Sequence, residues 1–237
     1  MQDLGLALAG VDPAAPDAEA RLVAIGRAAF DACGLPPDID AVWWPRFVRM
    51  AGRFVAWERT RPSVVRRLAE ARAEATQVGA TGVSLSGRAD RIDLLPAGMA
   101  DIIDFKTGAS PSKAQAHTLL SPQLALEGAL LMRGAFADAG ERLPAELLYV
   151  RMKANGDVAD ESILVHNRQQ KAATDLSQEA WVRLERLLDH YGSETSGYLS
   201  RALPFREGDT GGDYDHLARV LEWSAGGDAG DAEGESG

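Results

Sequence analysis

Apolar residues recur at helical spacing over the first third of the chain, at strand spacing through the middle, and at helical spacing again toward the end. Residues 1–15 carry Gly and Pro without a clear period and read as a loose N-terminus. Asp17-Ala18-Glu19-Ala20 opens a helix whose positions Leu22, Ile25, Ala29 and Phe30 follow helical spacing, and Gly34-Leu35-Pro36-Pro37 ends it. A second helix is expected from about Ala41 to Thr60, with Val42, Trp43, Phe47, Met50, Phe54 and Trp57 on a broad apolar stripe. Pro45 would then sit in its first turn, where a missing N–H is tolerated. Core packing accounts for the aromatic stripe without any stacking on bases. Ser63 can cap a third helix through Val64, Val65, Leu68 and Ala69 to about Ala73, although a strand could begin as early as Arg72.

The period then changes. Gly79 and Gly82 break the chain, and Val83, Leu85 and Gly87 lead into a short extended run, Gly87-Arg88-Ala89-Asp90-Arg91-Ile92-Asp93. A second run, Asp101-Ile102-Ile103-Asp104-Phe105-Lys106-Thr107-Gly108, follows Pro96-Ala97-Gly98, whose turn chemistry folds the two into a hairpin. After a Pro/Ser/Lys loop, Ser121-Pro122-Gln123 starts a helix with Leu124, Leu126, Ala129, Leu130 and Met132. Leu147 to Met152 is a compact apolar strand bounded by Pro144 and Gly156, and 174–192 form an amphipathic helix. The order predicts an α/β or α+β fold around one central sheet.

Composition narrows the setting. With 237 residues and 46% hydrophobic content the chain supports one sizeable core, and one domain is the default. A net charge of −10 argues against a free-standing basic nucleic-acid binder. Part of that charge lies in the tail 224–237, where Asp228, Asp231, Glu233 and Glu235 stand among Gly, Ala and Ser, a disorder composition. Arg59, Arg61, Arg66, Arg67 and Arg72 form a basic cluster in one helical region, either facing DNA or forming a solvated face. Cys33 is the single cysteine, which excludes an internal disulfide and fits a reducing cytoplasm. The N-terminus lacks a basic leader region and no segment reaches membrane-span length, so a cytoplasmic chain without a membrane partner is expected.

Side chains on a strand alternate faces, so Asp104 and Lys106 share one face while Ile103 and Phe105 take the other. The hairpin brings Asp90 within reach of that pair. Two acids and a lysine so placed can hold a divalent cation on oxygen ligands and set a positive charge beside a reacting phosphate. Asp93, three residues after Asp90, faces the other way and reads as a salt-bridge partner of Arg88 or Arg91. Asp101 reads as a strand-entry turn residue.

The strand Gly87 to Asp93, the strand Asp104-Phe105-Lys106-Thr107-Gly108 and the helix-borne Gln123 together resemble the PD-(D/E)xK nuclease superfamily, in its RecB-like branch. Trp43-Trp44-Pro45-Arg46-Phe47, Phe54 to Glu58 and Gly212 to Val220 add a likeness to the C-terminal nuclease domain of AddB-type subunits of AddAB helicase-nucleases, in their alphaproteobacterial form. The resemblance implies a restriction-endonuclease-like core, a central mixed sheet flanked by helices, over 16–223: a helical part at 16–73, a catalytic core at 74–152 and a C-terminal strand and helix part at 153–223. It implies a Mg²⁺-dependent DNA nuclease, with Mn²⁺ as the alternative ion and an AddA-like subunit as partner. Asp90 and Asp104 would bind the metal, with the Ile103 or Phe105 carbonyl as an added oxygen. Lys106 would orient or help deprotonate the attacking water, and Gln123 would steady the site. The family pattern is incomplete here. The Tyr expected four residues after Gln123 is Glu127, and no His precedes His117, where the branch carries a metal-binding His ahead of the first strand. Glu70 or Glu74 is a candidate third acid. The iron-sulfur cluster that some relatives hold on four cysteines is excluded by the lone Cys33, and no Walker-type phosphate loop is present. The competing reading is a nuclease-like module that binds DNA or a partner without cutting.

Overall fold

In α1 (Ala18–Cys33) the chain starts its helix one residue after Asp17 and leaves it through Gly34, whose backbone sits in the left-handed region at φ 58° and donates its N–H to the Asp31 carbonyl. The computed structural model describes residues 10–108 and 111–197. It divides the chain into two compact units, Met1–Leu188 and Asp189–Gly237, and the likeness over Gly212 to Val220 and the acidic tail lie outside the described residues. The second helix, α2, runs from Pro37 to Arg59 and so begins four residues earlier than the sequence pattern suggested. Pro37 takes the first helical position, where its fixed φ is pre-organised, so it opens α2 as well as following the end of α1. Pro45 is therefore inside the helix, not in its first turn, and removes one internal hydrogen bond. Of the aromatic stripe, Phe47, Phe54 and Trp57 are buried, whereas Val42 and Trp43 at its start are exposed. The two helices approach closely at Gly26, where any side chain would collide with the Phe47 ring.

The segment expected as a third helix is a strand. β1 (Arg66–Gln77) pairs antiparallel with β2 (Ser84–Leu94), which pairs antiparallel with β3 (Met99–Lys106) across the turn at Pro96–Gly98. A short helix α3 (Lys113–His117) and then α4 (Gln123–Met132) lead to β4 (Leu143–Met152), which lies parallel to β3, and β5 (Val158–Ser162) closes the antiparallel edge. The mixed five-stranded sheet has the order β1-β2-β3-β4-β5. A two-residue ladder of β6 (Val165–His166) and β7 (Gln169–Gln170) precedes α5 (Ala173–Gly192). This is the α/β architecture, a central mixed sheet with flanking helices, of the restriction-endonuclease-like class. Among the described residues no helix is long and apolar enough to cross a membrane.

Strand alternation splits the core into two layers. On one face Ile103, Leu148 and Val150 pack with Leu22, Phe47, Ala51, Phe54 and Trp57 of α1 and α2. On the other, Ile92, Ile102, Leu147 and Tyr149 pack with Leu124, Leu130 and Leu131 of α4 and with Leu176 and Trp181 of α5. The α2 face also buries a charged network. Arg91 donates to Glu58 and to Asp93 (Nε to Oδ1, 2.6 Å), Arg61 bridges Asp93 at 2.7 Å and Asp101 at 2.9 Å, and Arg67 reaches Glu58 at 3.0 Å. Asp93 is thus an ion-pair residue bound to Arg91. Asp101 lies within β3, buried and paired, not in an entry turn. The basic cluster is dispersed: Arg59 at the end of α2 donates to the Pro13 carbonyl, Arg61 and Arg67 are spent on acids, and Arg66 and Arg72 are exposed on β1. It forms neither one helix face nor a continuous basic surface.

Removing one member of a buried ion pair strands its partner's charge, which costs about 3–5 kcal/mol. Arg91→Ala is therefore expected to lower unfolding free energy by about 3–5 kcal/mol in urea denaturation, whereas Arg66→Ala on the exposed edge stays within about 0.5 kcal/mol. Equal effects of the two would contradict the network's role.

Candidate active site

The hairpin register sets the first element of the site. Arg91 pairs with Ile103, and one further step along the antiparallel ladder places Asp90 opposite Asp104. Asp90 Oδ2 accepts the Phe105 N–H at 2.9 Å, which ties its carboxylate to the neighbouring strand. Asp104 and Lys106, two apart on β3, share the face toward α4, and Lys106 Nζ lies 2.7 Å from Asp104 Oδ2. Gln123, at the first turn of α4, donates from Nε2 to Asp104 Oδ1 at 2.8 Å. The structure therefore brings together all four residues singled out from the sequence: Asp90, Asp104, Lys106 and Gln123.

Two further residues belong to this cluster. Gln123 Nε2 also donates to Glu127 Oε1 at 3.1 Å, one helical turn on, and Glu127 is buried. Tyr149 of β4 is the registered partner of Asp104 on β3, and its ring lies 5.7 Å from Lys106 Nζ. The four-residue spacing of Gln123 and Glu127 on one helix carried the signal for the first. The second depended on the parallel β3–β4 register, which no local pattern specifies. Of the candidate third acids, Glu70 pairs with Arg88 at 3.0 Å and Glu74 is exposed. Glu70 stands opposite Asp90 across β1 and β2, between the pairs Ala69–Arg91 and Ala71–Ala89, with a left-handed φ of 53°. His117 is buried on α3 with Nδ1 2.9 Å from the Ile163 carbonyl.

The electrostatics follow from crowding acids in a half-dry place. Burial raises the pKa of Asp104, and the charge of Asp90 adds to this, against hydrogen bonds from Lys106 and Gln123. For Lys106, burial favours the neutral amine, but the hydrogen bond and charge of Asp104, with the charges of Tyr149 and Asp90, together outweigh it, so its pKa is raised and the side chain is an ammonium at neutral pH. Burial pushes Glu127 up to about 8, with the charges of Asp104 and Asp90 reinforcing it and Gln123 opposing.

Two facing carboxylates, of which Asp104 is pushed toward protonation by burial and by the charge of Asp90, form a place where a cation would relieve repulsion. The oxygens that could hold an ion are hard donors, the carboxylates of Asp90 and Asp104, a chemistry suited to Mg²⁺ or Mn²⁺. Among the described residues no three His, Cys, Asp or Glu side chains converge as a closed metal cage.

A family model for the PD-(D/E)XK nuclease superfamily matches residues 4–206. The chain belongs to this superfamily. Curated relatives include an uncharacterized protein of Rickettsia bellii, 25% identical over 122 residues covering 51% of this chain and 15% of that protein. Another, from Rickettsia felis, is 32% identical over 74 residues, 31% of this chain and 9% of its own. The matched stretches are thus no more than about one seventh of those relatives' length. A solved structure titled "Crystal structure of SSO0001" overlaps 76% of this chain and 74% of its own at 13% identity, with a TM-score of 0.27, too slight a likeness to inform the site.

Glu127 gives the superfamily member a measurable pH signature. Its folded pKa, about 8, lies above the unfolded carboxylate value of about 4.3, so its contribution to stability is complete below the latter and is lost as pH rises through the former. In EDTA the protein should lose roughly 2–4 kcal/mol of urea stability between pH 5 and 9 that Glu127→Gln does not lose. Parallel stability curves for the two proteins would show that the carboxyl ionises normally.

Proposed function

We propose that this chain is a metal-dependent DNA nuclease module that hydrolyses phosphodiester bonds, with Mg²⁺ as its ion. In this reading it is an exonuclease working in the cytoplasm within a helicase-nuclease of the AddAB kind, beside an AddA-like subunit, in double-strand break repair and recombination. The observation that carries the catalytic part is the convergence of Asp90, Asp104 and Lys106 on one sheet face, with Gln123 bonded to Asp104. The wider assignment rests on the likeness of the sequence stretches Trp43 to Phe47, Phe54 to Glu58 and Gly212 to Val220 to AddB-type nuclease domains. The much greater length of the curated relatives is consistent with a module in a larger protein.

The roles follow from the chemistry of each group. Asp90 and Asp104 would hold the ion, which when bound supplies Lewis acidity to the scissile phosphate and its attacking water. Lys106 is an ammonium, so it stabilises charge developing on phosphate oxygens and donates to the water, in place of acting as its base. Asp104 keeps Lys106 aimed, and the Phe105 N–H keeps Asp90 facing it. Gln123 fixes the rotation of the Asp104 carboxyl. Exposed Arg66 and Arg72 on β1 are available for the DNA backbone, although the net charge of −10 leaves most affinity to partner subunits.

The second reading, a module that holds DNA or a partner without cutting, is favoured by the lack of a third converging acid among the described residues. One assay separates the two: linear DNA with Mg²⁺ or EDTA, with the chain alone and with an AddA-like subunit. Cleavage in Mg²⁺ only is expected, reduced about 100-fold or more by Asp104→Asn and by Lys106→Ala. Asp104→Asn cutting as fast as the parent would remove the metal-site assignment, and DNA retention without cleavage in any arm would select the second reading.

A further inference from the structure

We propose that Glu127 is a positioning residue of the nuclease site: it anchors Gln123, and through Gln123 it sets the orientation of the Asp104 carboxyl. This rests on the reading of Asp90 and Asp104 as the metal-binding acids.

Gln123 is exposed at the start of α4 and has a flexible side chain. Left with one weak tether, it would sample several rotamers, each with a different approach to Asp104. Its amide has two N–H bonds on one nitrogen. One is donated to Asp104 Oδ1 at 2.8 Å and the other to Glu127 Oε1 at 3.1 Å. With both hydrogens committed to carboxyl oxygens, the amide cannot flip without turning its oxygen onto two acids. Glu127 is the rigid end of this arrangement, because it is 6% exposed and flanked on α4 by buried Leu124, Gly128, Leu130 and Leu131. Asp104 Oδ1 is thereby fixed, and Oδ2 is left beside Lys106.

The cost of this acid argues that it is kept for the site. Glu127 Oε2 is buried with no hydrogen-bond partner, and an apolar residue would suit the surrounding layer better. Other buried polar atoms, among them Asp101 Oδ1 and Arg61 Nε, also lack a partner, so what sets Glu127 apart is where its other oxygen points. Here the satisfied atom is the one that faces Gln123.

The experiment combines Mn²⁺ binding by calorimetry, urea denaturation and steady-state cleavage of linear DNA in Mg²⁺. Glu127→Leu should weaken Mn²⁺ binding about tenfold and lower kcat by a similar factor, with KM for DNA little changed and with unfolding stability equal or higher. Glu127→Gln, which retains an oxygen acceptor for Gln123, should lose less than about threefold in Mn²⁺ affinity. Because Glu127 acts through Gln123, the double variant Gln123→Ala/Glu127→Leu should be no weaker than Gln123→Ala alone. Should the Leu variant fold poorly, Glu127→Met replaces it, and the comparison of Gln with Met decides. Parent-like Mn²⁺ binding and kcat in the Leu or Met variant, or full additivity in the double variant, would overturn the proposal while leaving the nuclease reading intact. If Asp104→Asn binds Mn²⁺ as the parent does, or the parent binds none, both fall together.

Discussion

Asp90 and Asp104 face each other across an antiparallel pair; like charges so placed repel, and burial together with the charge of Asp90 pushes Asp104 toward protonation. Much around them offsets that repulsion. The Phe105 N–H holds Asp90, Lys106 and Gln123 divide the two oxygens of Asp104 between them, and the hairpin turn at Pro96–Gly98 fixes the register that makes the pair meet. Shifting β3 by one residue would turn Asp104 and Lys106 to the α2 layer and bring Ile103 and Phe105 into the polar face. The site therefore exists only in the register that also buries Ile103 against Phe54 and Trp57. Chemistry and core packing are specified by the same alternation.

The opposite face uses charge differently. Glu58, Asp93 and Asp101 meet Arg91, Arg61 and Arg67 in one layer, with Arg91, despite the cost of burial, held far toward its charged form by Glu58 and Asp93. Trp57 lies under both guanidinium groups, 5.2 Å from that of Arg61 and 5.7 Å from that of Arg91. This network links the end of α2 to the two strands that carry the candidate acids, one residue away from Asp90 at Arg91. Acids on the network face are paired with arginines, whereas on the site face Asp90 meets a backbone N–H and Asp104 a lysine and an amide. That contrast separates Asp93 from Asp90, although both stand in the same short strand.

Much of this was legible in the sequence where period and turn chemistry agree. Gly87 to Asp93, Asp101 to Lys106, the helix from Gln123 and the strand Leu147 to Met152 all appear as their spacing indicates. The failure at Arg66–Gln77 has a clear cause. Arg-Arg-Leu-Ala-Glu-Ala-Arg-Ala-Glu-Ala is rich in helix formers, and it becomes a strand because β2 offers it a ladder and Leu68 and Ala73 a place in the core. Long-range charge pairing was equally hidden: Arg61 meets Asp93 and Asp101 across 32 and 40 residues, so a row of arginines that looked like a basic face is mostly consumed by acids. The meeting of Asp104 with Tyr149 required a parallel pairing formed only after α4 crosses the sheet.

Glu127 shows how a departure from a family pattern becomes informative once placed in space. Read along the chain, it marks a missing aromatic four residues after Gln123. In the fold it occupies the apolar side of α4, leaves one oxygen without a partner and points the other at the amide that holds Asp104. An arrangement selected only for stability would replace it with a leucine, because the surrounding layer is aliphatic and the site already has acids enough to repel. The network on the opposite face can bear that local cost, since its ion pairs fasten α2 to the sheet. A buried acid with one unpartnered oxygen thus stands beside the amide that meets Asp104, while arginine–carboxylate pairs fasten the other layer, a difference that follows from which side of one strand each residue occupies.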